Sequence, residues 1–185
     1  MKKSILLSLC LLCSCTTTHQ SKQTEISTAD ARISLGVAYL QNNQREHARS
    51  NLLKAEKAAP EYIGTLMAMA YYYDFIGEMT QASQTYLQAL SIYPKQPDLL
   101  NNYGTFLCKH GHYKAALNYF QKAYIQTDYI KVADSLENAG LCAFRAGKIS
   151  MAQKMFKQAI SYEPDKKVSH FYLIYIENGK RGTHD

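Results

Sequence analysis

The sequence predicts an all-α protein, built as an array of helix-turn-helix repeats. It is similar to itself at a spacing of about 34 residues, and small residues recur at the same places in each copy. Proline closes three of the copies, at Pro60, Pro94 and Pro164, where it would end a helix because it lacks an amide hydrogen. A single helical hairpin of this length has little core of its own, so we expect the copies to stack into a solenoid.

The four copies align on a common set of positions. In the first copy, Leu35 and Gly36 take positions 7 and 8, and Tyr39 takes position 11. Gly or Ala at position 8 and Ala at position 20 lie where the two helices of a hairpin cross, and a larger side chain would push the helices apart. This pattern resembles the tetratricopeptide repeat, which implies a superhelical solenoid. The repeats lie near 29–62, 63–96, 97–130 and 133–166, the fourth starting two residues late.

The residues after Pro164, "VSHFYLIYIENGK", favour one more helix that caps the stack, predicted at 167–178. A strand is the alternative, because Phe, Tyr and Ile suit both. The run from Phe171 to Ile176 is apolar throughout, so this segment is either buried or open to a partner. The predicted repeat domain is therefore 29–179.

The first 14 residues have the composition of a secretory signal. A short cationic start precedes an apolar run ending at Leu12, which is too short to span a bilayer. Leu12, Ser14 and Cys15 then resemble the cleavage site of a bacterial lipoprotein signal. The resemblance implies cleavage before Cys15, acylation of its sulfur and new amine, and an outer-membrane location facing the periplasm, because Thr16 follows rather than Asp. An ordinary secretory signal rich in cysteine is the alternative.

The segment 15–28 is polar and has no apolar periodicity, so we interpret it as a flexible tether between the lipid and the folded domain. The formal charge of +6 falls to +4 when Lys2 and Lys3 leave with the signal. This charge is mild and mixed with acidic residues, which argues against a nucleic-acid partner.

The sequence offers no catalytic, metal or cofactor site. It contains no Gly-rich phosphate loop, no helix with a pair of metal-binding histidines and no nucleophile elbow. His110 and His112 flank Gly111, where a repeat turns between its helices, so a solvated turn is favoured over a metal site. The N-terminal cysteines have no histidine or carboxylate beside them to complete a zinc site. We therefore expect a protein that is not an enzyme.

Two cysteines lie in the folded part, in the first helices of neighbouring repeats. In an oxidising periplasm, Cys108 and Cys142 are a candidate disulfide pair. A closed loop of that length would stabilise the fold by roughly 4 kcal/mol. The alternative is two small buried side chains whose Cα atoms stand more than about 7 Å apart, too far to be bridged.

The first helices of such repeats line the concave side of the solenoid. At the lining positions, the first two repeats are largely apolar and the next two are mixed and charged. We predict a groove for an amphipathic segment of a partner protein, lined by Ile33, Val37, Leu40, Met67, Tyr71 and Phe75. The alternative is that some of the first-repeat residues belong to the core.

Two motifs are more specific than the repeat requires. "NNYGTFLC" (101–108) and "SLENAGLC" (135–142), with "ARISLGVAYL" (31–40) and the lipoprotein start, resemble the PilF/PilW family of type IV pilus biogenesis lipoproteins. The resemblance implies a pilotin, which binds secretin subunits and promotes their outer-membrane localisation and multimerisation. A general tetratricopeptide lipoprotein scaffold for other envelope complexes is the alternative function, and a secretin of type II secretion is the alternative cargo.

Overall fold

The computed structural model describes residues 14–181, and these residues form nine α-helices and no β-strand. The all-α class predicted from the sequence is confirmed. In chain order the helices are α1 Ser14–Gln41, α2 Arg45–Ala58, α3 Ile63–Ile76, α4 Met79–Ile92, α5 Pro97–Lys109, α6 Tyr113–Tyr124, α7 Val132–Arg145, α8 Ile149–Tyr162 and α9 Lys167–Arg181. The predicted signal segment, 1–14, lies outside the described residues except for Ser14.

The chain divides into two compact units after Ala82, within α4. Unit 1 contains the hairpin α1–α2 and helix α3, and unit 2 contains the hairpins α5–α6 and α7–α8 with α9 packed on α7 and α8. In unit 2 both hairpins turn at a glycine with positive φ, Gly111 at 81° and Gly147 at 71°, a conformation that glycine adopts without strain. The predicted turn between His110 and His112 is therefore present.

Proline ends the second helix of three repeats, as predicted. Helices α2, α4 and α8 each end two residues before a proline. The third repeat has Asp128 in that place, and its helix α6 ends earlier, at Tyr124. A loop then carries the two-residue insertion, and Tyr129 holds this loop by packing against Leu100 and donating a hydrogen bond to Asp98 Oδ1 at 3.3 Å. Burial, and beyond it the charge of Asp98, raises the pKa of the Tyr129 phenol to about 12.

The helices of a hairpin cross at the glycine in position 8. A Cβ atom placed on Gly140 would lie 2.6 Å from the ring of Phe156, closer than such contacts occur in proteins. The side chain at position 24 therefore rests on the backbone of the opposite helix in its own hairpin. Three hairpins share this contact, through the pairs Gly36–Leu52, Gly104–Phe120 and Gly140–Phe156.

Helix α1 begins well before the first repeat, which corrects the prediction of a flexible tether at 15–28. These residues continue α1, which is 28 residues long. No glycine or proline interrupts the segment. The buried Ala29 anchors α1 in the fold, and the helix continues from there toward the N-terminus. Its exposed hydroxyls bond back to the helix: Thr24 Oγ1 donates to the carbonyl of Gln20 at 3.0 Å, and Thr28 Oγ1 donates to that of Thr24 at 2.8 Å.

The predicted capping segment is a helix, α9, and not a strand. One side of it is buried against α7 and α8, with Ser169 and Ile176 inward. The opposite side is exposed and apolar, and includes Phe171 and Tyr175. The apolar run from Phe171 to Ile176 therefore contributes some side chains to the core and others to the surface.

Replacing Gly140 with alanine is expected to destabilise the protein. The new methyl group would overlap the fully buried ring of Phe156, so α7 and α8 must separate, and overpacking of this kind costs about 1–3 kcal/mol. Thermal unfolding followed by circular dichroism would measure the change. Gly179→Ala is the matched control, because nothing lies within 4 Å of a Cβ at that place in α9. An equal effect of the two substitutions would contradict the proposed crossing contact.

Candidate partner-binding surface

The predicted groove lies within unit 1, on helices α1 and α3, which pack side by side. Ile33 and Val37 are four residues apart on α1, and Met67, Tyr71 and Phe75 follow the same spacing on α3. Residues four apart lie one above the other on a helix. Each helix therefore contributes one apolar row.

Leu40 does not belong to this surface, and the groove prediction is corrected at that residue. Its side chain is 1 % exposed and lies in the core with Ala48 and Leu52 of α2. The chain turns at residues 42–44, directly after α1, and α2 folds back over this end of the helix. A partner has no access to Leu40, which is core, as the alternative interpretation allowed for first-repeat residues.

The other five side chains reach the surface to different degrees. Tyr71 is 40 % exposed, and Val37 and Met67 are half-buried. Ile33 and Phe75 are also half-buried, and both pack against the core of unit 1. Each of these five apolar side chains is therefore only partly exposed to solvent.

Sequence reasoning missed a cationic neighbour at the aromatic end of this surface. The ring centroids of Tyr71 and Phe75 are 6.4 Å apart, and the guanidinium carbon of Arg45 lies 5.7 Å from the centroid of Phe75. Arg45 begins α2, so the hairpin turn brings it here, and no spacing rule within α1 or α3 indicates its position. Together these six residues are the α1–α3 surface: Ile33, Val37, Arg45, Met67, Tyr71 and Phe75.

The chemistry of the α1–α3 surface is apolar contact beside one cation, which suits binding. Within residues 14–181, no three His, Cys, Asp or Glu side chains lie together so as to hold a metal ion. In the same part of the chain, no helix combines the length and apolarity needed to cross a bilayer.

In unit 2, polar side chains on the first helix of one repeat bond to the start of the next repeat. Asp98, at position 2 of the third repeat, pairs with Lys131 Nζ at 3.1 Å. The side-chain oxygen of Asn101, at position 5, accepts hydrogen bonds from Ser135 Oγ at 2.9 Å and Asn138 Nδ2 at 3.2 Å. The polar side chains that the sequence placed on a binding face therefore hold α5 against α7.

The predicted pairing of Cys108 with Cys142 is formed in the structure. The two residues are disulfide-bonded, their Cα atoms are 5.8 Å apart, and both are buried. This distance lies within the range that a disulfide spans. Position 12 of the third repeat is therefore occupied by a covalent link between α5 and α7.

The fourth repeat is joined to α9 in a similar way. Lys166 Nζ bonds the carboxylate of Asp134 and lies 3.2 Å from Glu163 Oε2. Desolvation lowers the pKa of Lys166, but the two carboxylates outweigh it and raise that pKa above its usual value. Ser169 donates to Glu137 Oε2 from its amide at 2.9 Å and from its hydroxyl at 2.7 Å. Asp134 and Glu137 are thus held within unit 2.

Position 3 shows how the two units differ. Ser135 in the fourth repeat and Ser169 in α9 occupy it in unit 2, both fully buried, and each hydroxyl donates to a position-5 side chain of the preceding repeat. Thr65 occupies it in unit 1, is 1 % exposed, and its hydroxyl has no hydrogen-bond partner. The preceding position 5 is Ile33 there, which cannot accept a hydrogen bond. An apolar Ile33 keeps the surface apolar and leaves this hydroxyl unbonded.

Thr65→Val is expected to stabilise the protein by about 1 kcal/mol, because it removes a buried unbonded hydroxyl without changing the shape of the side chain. Ser135→Ala is the matched opposite case and is expected to cost about 1 kcal/mol, because it breaks a buried hydrogen bond. Denaturant unfolding of both variants would measure the free energies. If Thr65→Val destabilised the protein as much as Ser135→Ala, the Thr65 hydroxyl would have to be bonded.

Comparison with known proteins places these features in a family. A family model described as tetratricopeptide repeat matches residues 29–62, 63–96 and 133–166, and a second model of the same description matches residues 85–118. An uncharacterized protein of Haemophilus influenzae is 33 % identical over 144 residues, which cover 78 % of this chain and 80 % of that protein. The type IV pilus assembly protein PilF of Pseudomonas aeruginosa is 30 % identical over 151 residues, covering 80 % of this chain and 60 % of PilF.

Two solved structures are similar to this one. Pseudomonas aeruginosa PilF superposes with a TM-score of 0.77 and 26 % identity, over 86 % of this chain and 72 % of that one. The type IV pilus biogenesis factor PilW superposes with a TM-score of 0.73 and 23 % identity, over 80 % of this chain and 68 % of that one. The similarity to PilW shows the fold alone.

Proposed function

The chain belongs to the tetratricopeptide-repeat family and is a PilF/PilW-like protein, and on that premise we propose that it is a pilotin of type IV pilus biogenesis. In this role it binds secretin subunits and promotes their localisation and multimerisation in the outer membrane. An array of such repeats acts by presenting an extended surface to other proteins and not by catalysis.

The observation that carries the proposal is the contrast between the two units. In unit 2, position 5 holds Asn101 and Glu137, whose side chains accept hydrogen bonds from Ser135 and Ser169 of the following helices. In unit 1, the same position holds Ile33 and Met67, whose apolar side chains form no hydrogen bonds and lie in line with Val37 and Tyr71. A row of apolar side chains along two helices suits an amphipathic partner helix, whose apolar anchors repeat at the same spacing.

The α1–α3 surface also indicates what the bound segment contains. Val37 and Met67 would receive aliphatic side chains, since both expose apolar edges. Tyr71 and Phe75 would pack an aromatic or methyl-bearing residue. Arg45 would pair with a carboxylate at the end of that segment. An amphipathic secretin segment with one acidic end fits this arrangement.

Acylated Cys15 would supply the membrane anchor in this proposal. More than one acyl chain is needed for stable anchoring, and the lipoprotein pattern provides several. Because residues 15–28 are helical, they act as a spacer of about 20 Å at 1.5 Å per residue. The α1–α3 surface would then stand clear of the lipid headgroups, where a secretin subunit in the periplasm can reach it.

A general scaffold for other envelope complexes is the alternative function. This chain covers 60 % of the length of PilF, so the role of PilF as a whole protein is carried over here only as a proposal. The two functions differ in the partner, and the α1–α3 surface serves either. A secretin of type II secretion would be a third candidate for the same surface.

Val37→Asp combined with Tyr71→Asp is expected to weaken secretin binding at least tenfold. Buried anchors of an interface commonly contribute about 2 kcal/mol or more, and each 1.4 kcal/mol or so corresponds to tenfold in affinity. Binding of the purified secretin domain would be measured by calorimetry. Tyr162→Asp is the matched control, since Tyr162 is an exposed tyrosine of unit 2. Unchanged binding by a folded double variant would overturn the assignment of this surface.

Cells that lack the protein are expected to lose secretin multimers from the outer membrane. Membrane fractionation with gels that preserve multimers would show their amount and location. The wild-type chain should restore them and Cys15→Ser should not, because the variant has no sulfur to acylate. If secretin multimers are normal in the deletion strain, the pilotin function is excluded and the scaffold function is retained.

A further inference from the structure

The outer side of unit 2 is basic. Helices α6 and α8, the second helices of the third and fourth repeats, contain no aspartate or glutamate. Five exposed lysines lie on these helices and at the residue that precedes α8, namely Lys114, Lys122, Lys148, Lys154 and Lys157. We call these residues the α6–α8 lysines.

The carboxylates of the unit do not neutralise this side. Asp98 pairs with Lys131, and Asp134 and Glu163 pair with Lys166. Glu137 accepts both hydrogen bonds from Ser169. These acids lie outside α6 and α8, as do Asp128, Asp165 and Glu177, and a lysine compensates the charge of Asp98, Asp134 and Glu163.

A groove with a mixed lining runs among three of the lysines. It has a volume of about 590 Å³ and lies between α6 and α8. Its apolar side chains include Leu117, Met151 and Met155, and its polar ones include Lys114, Lys148, Lys154, Asn118, Gln121 and Ser150. The three lysines and Met151 are exposed, whereas Leu117 is half-buried and Met155 is buried. The charges therefore lie beside apolar side chains, of which Met151 is exposed.

The kind of cation favours a lipid over a protein as the ligand. Arginine is the residue that protein interfaces use for fixed ion pairs, and lysine is depleted there. Neither α6 nor α8 contains an arginine. Lysine has a flexible apolar stem, which can lie along an apolar surface while its ammonium group reaches a phosphate. Basic side chains around exposed apolar ones are the composition of surfaces that rest on anionic membranes.

We propose that the α6–α8 lysines, with Met151 between them, bind the anionic headgroups of a phospholipid bilayer. This rests on the proposed function only in that acylated Cys15 would hold the chain beside a bilayer. The lipid contact orients unit 2 with α6 and α8 toward the membrane. The first helices of that unit, α5 and α7, then lie on the side away from the headgroups.

The test compares binding to two kinds of vesicle, one of phosphatidylcholine and one of phosphatidylcholine with phosphatidylglycerol. The full chain carries Cys15→Ser in every arm, so no acyl chain contributes and residues 1–14 contribute equally. Lys114→Gln, Lys148→Gln and Lys154→Gln are combined in one variant. The matched control combines Lys54→Gln, Lys57→Gln and Lys95→Gln, which removes the same charge from exposed lysines elsewhere. Sedimentation measures the bound fraction, and circular dichroism shows that each variant is folded.

The parent chain is expected to prefer the anionic vesicles at least tenfold, and high salt should remove the preference, because interactions with exposed charges are screened. The groove variant should lose most of this preference, and the control should change it less than about twofold. Equal binding to both vesicles by the parent, or equal losses in the two variants, would overturn the proposal. The assay contains no secretin and no acyl chain, so neither result decides the pilotin proposal. That proposal is tested by the secretin experiments described above.

Discussion

The crossing of two helices at a glycine is the contact on which the rest of this structure depends. Gly104 and Gly140 let the rings of Phe120 and Phe156 rest against the backbone of the facing helix, and both rings are fully buried. Because each hairpin closes on itself in this way, its first helix is free to pack against the first helix of the next repeat. The packing between repeats then determines which side chains are used for stability and which remain open to a partner.

The two units use this second layer of packing differently. In unit 2, buried hydroxyls, carboxylates and a disulfide connect one first helix to the next. In unit 1, Ile33 takes the place of an acceptor and the hydroxyl of Thr65 is left without a hydrogen bond. An unbonded buried hydroxyl is unfavourable, so unit 1 gives up some stability at the place where it presents an apolar surface. The polar links between repeats and the apolar surface therefore lie in different parts of one repeated design.

The sequence predicted the features that depend on local spacing. The repeat, its glycines and its prolines are marks within a single hairpin. The cysteines lie in the first helices of neighbouring repeats, which makes them a candidate pair but leaves their distance to the structure. Leu40 was wrongly placed in the groove because its burial depends on how α2 folds back, which position within α1 does not reveal. The helical form of residues 15–28 does not follow from their polar composition, which suits a flexible tether equally well; it follows from a segment with no glycine or proline that continues α1. The hydrogen bond from Ser135 to Asn101 depends on the register between repeats, which a single sequence does not contain.

The disulfide between Cys108 and Cys142 also governs the order in which unit 2 can open. Proteins open locally before they unfold globally, in cooperative pieces of differing stability. A covalent link between α5 and α7 prevents the third and fourth repeats from separating in any partial opening of the native state. Fluctuations that expose backbone amides to solvent therefore start in elements that the disulfide does not join, such as α9 or the helices of unit 1. The cysteine pair thus holds the third and fourth repeats together while other parts of the chain open.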